Sequence, residues 1–167
     1  MRKAMAAGMV GGKILFAGTA SAMPPALTLG QLLDICASST VAQAAARGDG
    51  LRWRRVSDAQ LADWRSRFVA YNGGSVEALG WQRGEKEGDG LLSFWTARGK
   101  NAHRACAYSV RNPGGLLDAL IAHFGPPKSL DRYDFGTTAT WKQGAVEISF
   151  SQVGSSAVLN IATTIGH

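Results

Sequence analysis

Apolar positions along this chain switch between helical and strand periods. Leu29, Leu32, Leu33 and Cys36 recur at helical spacing behind Thr28, a good N-cap, and predict a helix with one buried face. Val41 to Arg47 is alanine-rich, ends at Gly48 and predicts a second helix. Ser57 and Gln60 form a capping box, with Val56 placed to staple onto Leu61. Leu61, Trp64 and Phe68 then line one side of a third helix, which Asn72-Gly73-Gly74 stops. From Leu79 the pattern becomes that of strands. Leu79-Gly80-Trp81, Leu91 to Arg98, and Arg104 to Val110 are strand segments, the first two joined by the charged hairpin-type loop Gly84 to Gly90. In the third, Arg104, Cys106, Tyr108 and Val110 share a face.

Asn112-Pro113 reads as an N-cap followed by proline at the first helical position. The stripe Leu116, Leu117, Leu120, Ile121 and Phe124 follows, and Gly125-Pro126-Pro127 ends it. The remainder reads as a meander: Thr138 to Lys142, Ala145 to Ser151 and Ala157 to Thr163, with turns at Gln143-Gly144 and near Gly154. The order is helices, three strands, one helix, three strands, with no internal repeat. Short turns imply antiparallel pairing, and the helical stripes need a sheet to cover. The predicted fold is α+β, a two-layer sandwich. Its N-terminal helices and one mid-chain helix lie on one face of a mainly antiparallel sheet of about six strands.

The N-terminus adds an address. Arg2 and Lys3 precede an apolar run, Ile14 to Ala17 being its most hydrophobic part, and Ala20-Ser21-Ala22 is a small-x-small cleavage triplet. Residues 1–22 are expected to be a signal peptide and 23–167 a single α+β domain. Lys13 leaves an uninterrupted core of seven residues, Ile14 to Ala20; that is the short end of a range of roughly 7–15. No stretch approaches the roughly 20 apolar residues of a membrane span. No cysteine follows the leader to carry a lipid, and no arginine pair precedes the apolar run. The expected location is periplasmic or secreted. There, Cys36 and Cys106 can form a disulfide; the alternative is two buried thiols. A pair so far apart is not a redox Cys-x-x-Cys.

Charge changes little. The chain carries 18 basic and 12 acidic side chains, but Arg2, Lys3 and Lys13 lie in the leader, so the mature chain nets only +3. That excess does not argue for nucleic acid. The densest basic run is Arg47, Arg52, Arg54, Arg55, Arg65 and Arg67, with Trp53 inside it. Arg52, Trp53, Arg54 and Arg55 form a candidate binding surface for an envelope component or an acidic protein. Against it stand Asp49, Asp58 and Asp63, which would turn the run into a solvated, balanced face. Trp64, Trp81, Trp95 and Trp141 read with Trp53 as core, or else as a tryptophan-lined groove. An open sheet edge is a further docking site, by strand addition.

Local motifs for chemistry are sparse. His103, His123 and His167 show no metal-ligand spacing, and neither a nucleophile elbow nor a phosphate-binding glycine loop occurs. Glu85, Glu87 and Asp89, interrupted by Lys86, read as a solvated hairpin rather than a calcium loop. No cofactor or metal is expected.

The Leu-Leu-Asp-Ile-Cys segment ending at Cys36, the Gly80-Trp81 strand and the Cys106-Ala107-Tyr108 strand together resemble small exported proteins of alphaproteobacterial type. The resemblance implies export and a disulfide, and it carries over no catalytic residue. Two functional expectations follow. One is an exported, non-enzymatic binding or envelope accessory protein. The other is a small periplasmic hydrolase or transferase with a site assembled from distant residues: His103 or His123 as base, and Asp118, Asp131 or Asp134 as its orienting carboxylate.

Overall fold

A computed structural model of the chain describes residues 26–86 and 88–165. The predicted leader and its cleavage point, Glu87 and His167 lie outside the described residues. Helices α1 (Leu29–Cys36) and α2 (Val41–Gly48) are followed by a 3-10 turn (Asp49–Leu51), the two-residue strand β1 (Arg54–Arg55) and α3 (Asp58–Asn72). Strands β2 (Ser75–Gln82), β3 (Leu91–Arg98) and β4 (His103–Arg111) precede α4 (Leu116–Phe124). Strands β5 (Ser129–Tyr133), β6 (Gly136–Gln143), β7 (Val146–Val153) and β8 (Ser156–Thr164) complete the chain.

The fold is α+β, and its eight strands form one open antiparallel sheet in the order β1-β2-β3-β4-β8-β7-β6-β5. About six strands were expected; the two additional ones, β1 and β5, are the sheet's edges. The order is two four-stranded meanders meeting at β4 and β8. A two-fold between those strands exchanges β1 with β5, β2 with β6 and β3 with β7, a topological repeat that the sequence does not display.

The N-caps of α1 and α3 form as predicted, with Thr28 accepting from Gln31 N and Ser57 from Gln60 N, and the capping box expected at α3 is matched by a second one at α1. The start of α4 differs. Asn112 adopts a left-handed conformation (φ 53°) and donates its N–H to Ser155 O at 2.6 Å, so Gly115 becomes the cap and the helix begins at Leu116. A turn bonded to the β7–β8 connection holds Asn112 instead.

Strand pleating sorts side chains onto two faces. On the inner face, Trp81, Leu92, Phe94, Cys106, Ile148, Phe150 and Leu159 are essentially inaccessible, as are Leu32, Ile35 and Leu120 from α1 and α4. This is the main core. Cys36, at the end of α1, and Cys106, in the middle of β4, are joined by a disulfide with a Cα–Cα distance of 5.3 Å. It ties the helical layer to a central strand.

The expectation that all helices share one face is corrected by α3. Its Trp64 and Phe68 pack on Trp95, with ring centroids 5.5 and 6.5 Å away, and Phe68 lies 5.7 Å from the His103 ring. Trp95 and His103 alternate with the inner residues Phe94 and Arg104, so they point outward. Helix α3 therefore covers the opposite face, over β2, β3 and the start of β4. The molecule has three layers at that end. At the other end none of the described helices covers the outer face of β5–β8.

Candidate functional site

Alternation along β1 divides the basic run. Arg55 points inward. Its Nε and a terminal nitrogen donate to the two oxygens of Asp49 at 2.8 and 3.1 Å, and its guanidinium lies 5.3 Å from the Trp81 ring centroid. Asp49 also accepts from Trp81 Nε1 at 3.0 Å. Hydrogen bonds from Arg55 and then Trp81 hold the Asp49 carboxyl below the usual carboxylate range, while Asp49 raises Arg55. This triad clamps β1 to the 3-10 turn, so the Arg55 charge is already answered. Trp53 is buried, its ring 6.4 Å from Tyr108, whose hydroxyl is pushed up by that burial. Arg52 adopts a left-handed conformation (φ 58°) and is exposed. The flanking arginines pair locally: Arg47 with Asp34, Arg65 with Asp58, and Arg67 with Asp63. Arg47 also satisfies the buried Ser38 hydroxyl at 3.2 Å.

Arg54 points outward, and there the sheet register builds a site. Arg54, Gln82, Leu91, Ser109 and Val158 are successive register partners and form one row across β1, β2, β3, β4 and β8. Arg54 and this row border a groove of about 640 Å³, together with Gln60 from α3 and Arg111 from the end of β4. Arg54 donates to Gln82 Oε1 at 2.6 Å. Gln60 Oε1 accepts from the Ser57 N–H and hydroxyl at 3.0 and 3.1 Å. Arg111 is held from the hairpin: its N–H donates to Gly88 O at 2.8 Å, and its side chain runs over Gly88. A Cβ at Gly88 would stand 3.2 Å from Arg111 Nε, at φ 88°, so the contact requires glycine. Sequence reading included Arg54 and found Gln60 only as a capping residue. It missed Gln82 and Arg111, which are remote in sequence; only the register brings them to Arg54.

Beyond the groove, the uncovered outer face continues in parallel rows. Ser129, Thr140, Ser149 and Asn160 form one row, and Asp131, Thr138, Ser151 and Val158 the next. Ser129 and Thr140 hydroxyls lie 2.7 Å apart. Tyr133 and Phe135 stack at 6.2 Å at the far edge, both exposed.

The histidine-based alternative finds no assembled pair. His103 uses both ring nitrogens on structural partners. Its Nε2 accepts from Trp95 Nε1 at 3.2 Å, and Nδ1 faces Asn101 O at 2.8 Å. The indole can only donate, so Nδ1 carries the hydrogen. His123 lies exposed against the edge of the Phe124 ring at 4.6 Å. Asp118, Asp131 and Asp134 are exposed, and the structure brings none of them to either histidine. Among the described residues, no group of three or more histidine, cysteine or acidic side chains could hold a metal ion. None of the described helices is long and apolar enough to cross a membrane.

The chain matches no family model, no curated protein and no solved structure.

Proposed function

We propose that this chain is an exported, non-enzymatic binding protein whose partner docks on the outer face of the sheet between α3 and β5. The observation that carries the reading is the composition of that face. Ser149, Ser151, Thr138, Thr140 and Asn160 occupy its central outward positions, with Asp131, Val158 and the charge pair Lys142–Glu147 beside them. Immobilising a long lysine or glutamate against a partner costs about 1.5–2 kcal/mol of rotamer entropy, and short side chains cost much less. A broad, flat face of short hydroxyl and amide groups is therefore cheap to desolvate and fix in an interface. The Cys36–Cys106 disulfide supports the reading from behind, because it anchors β4, the strand that joins the groove to the rest of the face. Export follows from the leader pattern, the cysteine pairing and the resemblance to exported proteins. The partner is an envelope component or an acidic protein, since Arg54 and Arg111 border the face and make no ion pair among the described residues.

The test is site-directed photo-crosslinking in growing cells. A photoreactive residue at Ser149 or Asn160 should give a discrete adduct, in protein that lacks residues 1–22 and gains two protons on reduction. The same probe at Ala62, exposed on α3, should not. Equal crosslinking from all three positions, or none from the face, refutes the reading.

A further inference from the structure

We infer that the groove at the β1 end of the outer face takes an extended acidic segment of a partner protein. Carboxylates would sit on Arg54 and Arg111, with an apolar side chain between them on Leu91. The inference deepens the binding reading above by naming the chemistry of one end of the interface.

The first argument is the donor balance. Gln82 Oε1 is occupied by Arg54, which can only donate, and Gln60 Oε1 by the Ser57 N–H and hydroxyl. Both amides are thereby oriented, and what each offers the groove is its NH2 group. With two guanidinium groups, the lining is donor-rich. Neither Arg54 nor Arg111 makes an ion pair among the described residues. Among the described lining residues Glu85 is the one acid, and Lys86, its neighbour in sequence, offsets its charge. A surface with donors in excess of acceptors, and a surplus of positive charge, selects an oxyanion.

The second argument is spacing. Arg54 and Arg111 stand on strands three apart, β1 and β4, which puts their backbones about 14 Å apart across the sheet. An extended peptide crossing the strands spans that distance in about four residues at roughly 3.4 Å each. Between the arginines Leu91, 42% exposed, gives the row an apolar step, and Val158, 38% exposed, continues it on β8, one strand beyond Arg111. The matching ligand is acidic–apolar–acidic.

The experiment titrates the 15N-labelled, oxidised full domain with a soluble ten-residue peptide carrying aspartate at every second position and leucine or serine between. Its partners are a lysine-for-aspartate peptide, an oligomer of uronic acid, and sodium acetate at equal ionic strength. The expected result is saturable shifts on the Gln60 and Gln82 side-chain amides. Affinity should fall at least tenfold in R54Q/R111Q and fall again on raising salt from about 0.05 to 0.5 M. The spectrum of R54Q/R111Q away from the groove reports that the fold is kept. No saturation at millimolar peptide, equal binding of the lysine peptide, or undiminished binding by R54Q/R111Q overturns the inference. So does binding of the uronic acid oligomer alone. Crosslinks from Ser149 and Asn160 that persist in R54Q/R111Q would overturn the groove's role while leaving the binding reading intact.

Discussion

Replacing Gly48 by alanine should destabilise this protein, against the ordinary rule for helical glycines. Gly48 ends α2 with helical backbone angles (φ −69°), so alanine is conformationally acceptable there and should gain up to about 1 kcal/mol in propensity. The surroundings decide otherwise. A Cβ at Gly48 would overlap three atoms of the Trp81 indole. That ring is 0% exposed, bonded through Nε1 to Asp49 at 3.0 Å, and covered by the Arg55 guanidinium. It cannot swing aside without breaking the clamp on β1, so α2 must move outward. Overlap with three ring atoms puts the overpacking cost at the upper end of its usual range, about 3 kcal/mol, and subtracting the propensity gain leaves a net loss of about 2 kcal/mol. In urea, with a slope of about 2 kcal/mol/M, the midpoint should fall by about 1 M at unchanged slope. Gly30 is the internal control. It lies in α1 with nothing within 4 Å of a built Cβ, so Gly30→Ala should be neutral or stabilising by about 0.5 kcal/mol. If G48A equals or exceeds the wild type while its unfolding slope is preserved, the packing of α2 on Trp81 is not as described.

Three further outcomes are expected. Reducing the Cys36–Cys106 bond, which closes a 70-residue separation, should lower the urea-unfolding free energy by about 4 kcal/mol on the chain-entropy model, and a loss under about 1 kcal/mol would refute that role. Hydrogen bonds from Arg55 and Trp81 hold the Asp49 carboxyl below its ordinary value of 3.8, so its contribution is complete above that pH and is lost as pH falls through the lower folded value. Asp49→Asn should therefore cost about 1 kcal/mol at pH 7, an amount discounted for its half-exposed side chain, and the difference from wild type should shrink below pH 3.8; a pH-independent difference would contradict the ion pair. Helix α3 contributes no fully buried residue, so its amides should exchange with deuterium well before those of β4 and β8, and simultaneous protection would mean that α3 belongs to the main cooperative core.

What could be read from the sequence, and what could not, follows from the difference between periodicity and placement. A helical stripe says that a partner surface exists; it does not say on which side of a sheet. The stripe Leu61, Trp64, Phe68 was legible, but its partner was Trp95 on the outer face. The hint lay in β3, where Phe94 and Trp95 are adjacent, the mark of a strand covered on both faces. Strand β1 was too short to show any alternation. Strand β5 offers only Leu130 as an apolar inward residue and follows two prolines that read as a helix stop. The cysteine pairing was legible because compartment and count restricted it to one partner choice. The basic run misled for a reason that is general to strands. Neighbours in sequence point to opposite faces, so Arg55 is consumed by Asp49 while Arg54 faces out. What assembles a site on a sheet is register, and Arg54, Gln82, Leu91, Ser109 and Val158 meet in one row although the first and last are separated by most of the domain. A charge cluster along the chain is thus weak evidence for a binding surface in a β-rich protein. The stronger evidence is a row of donors with no ion-pair partner, and here the β2–β3 hairpin adds Arg111 beside that row through its contact with Gly88.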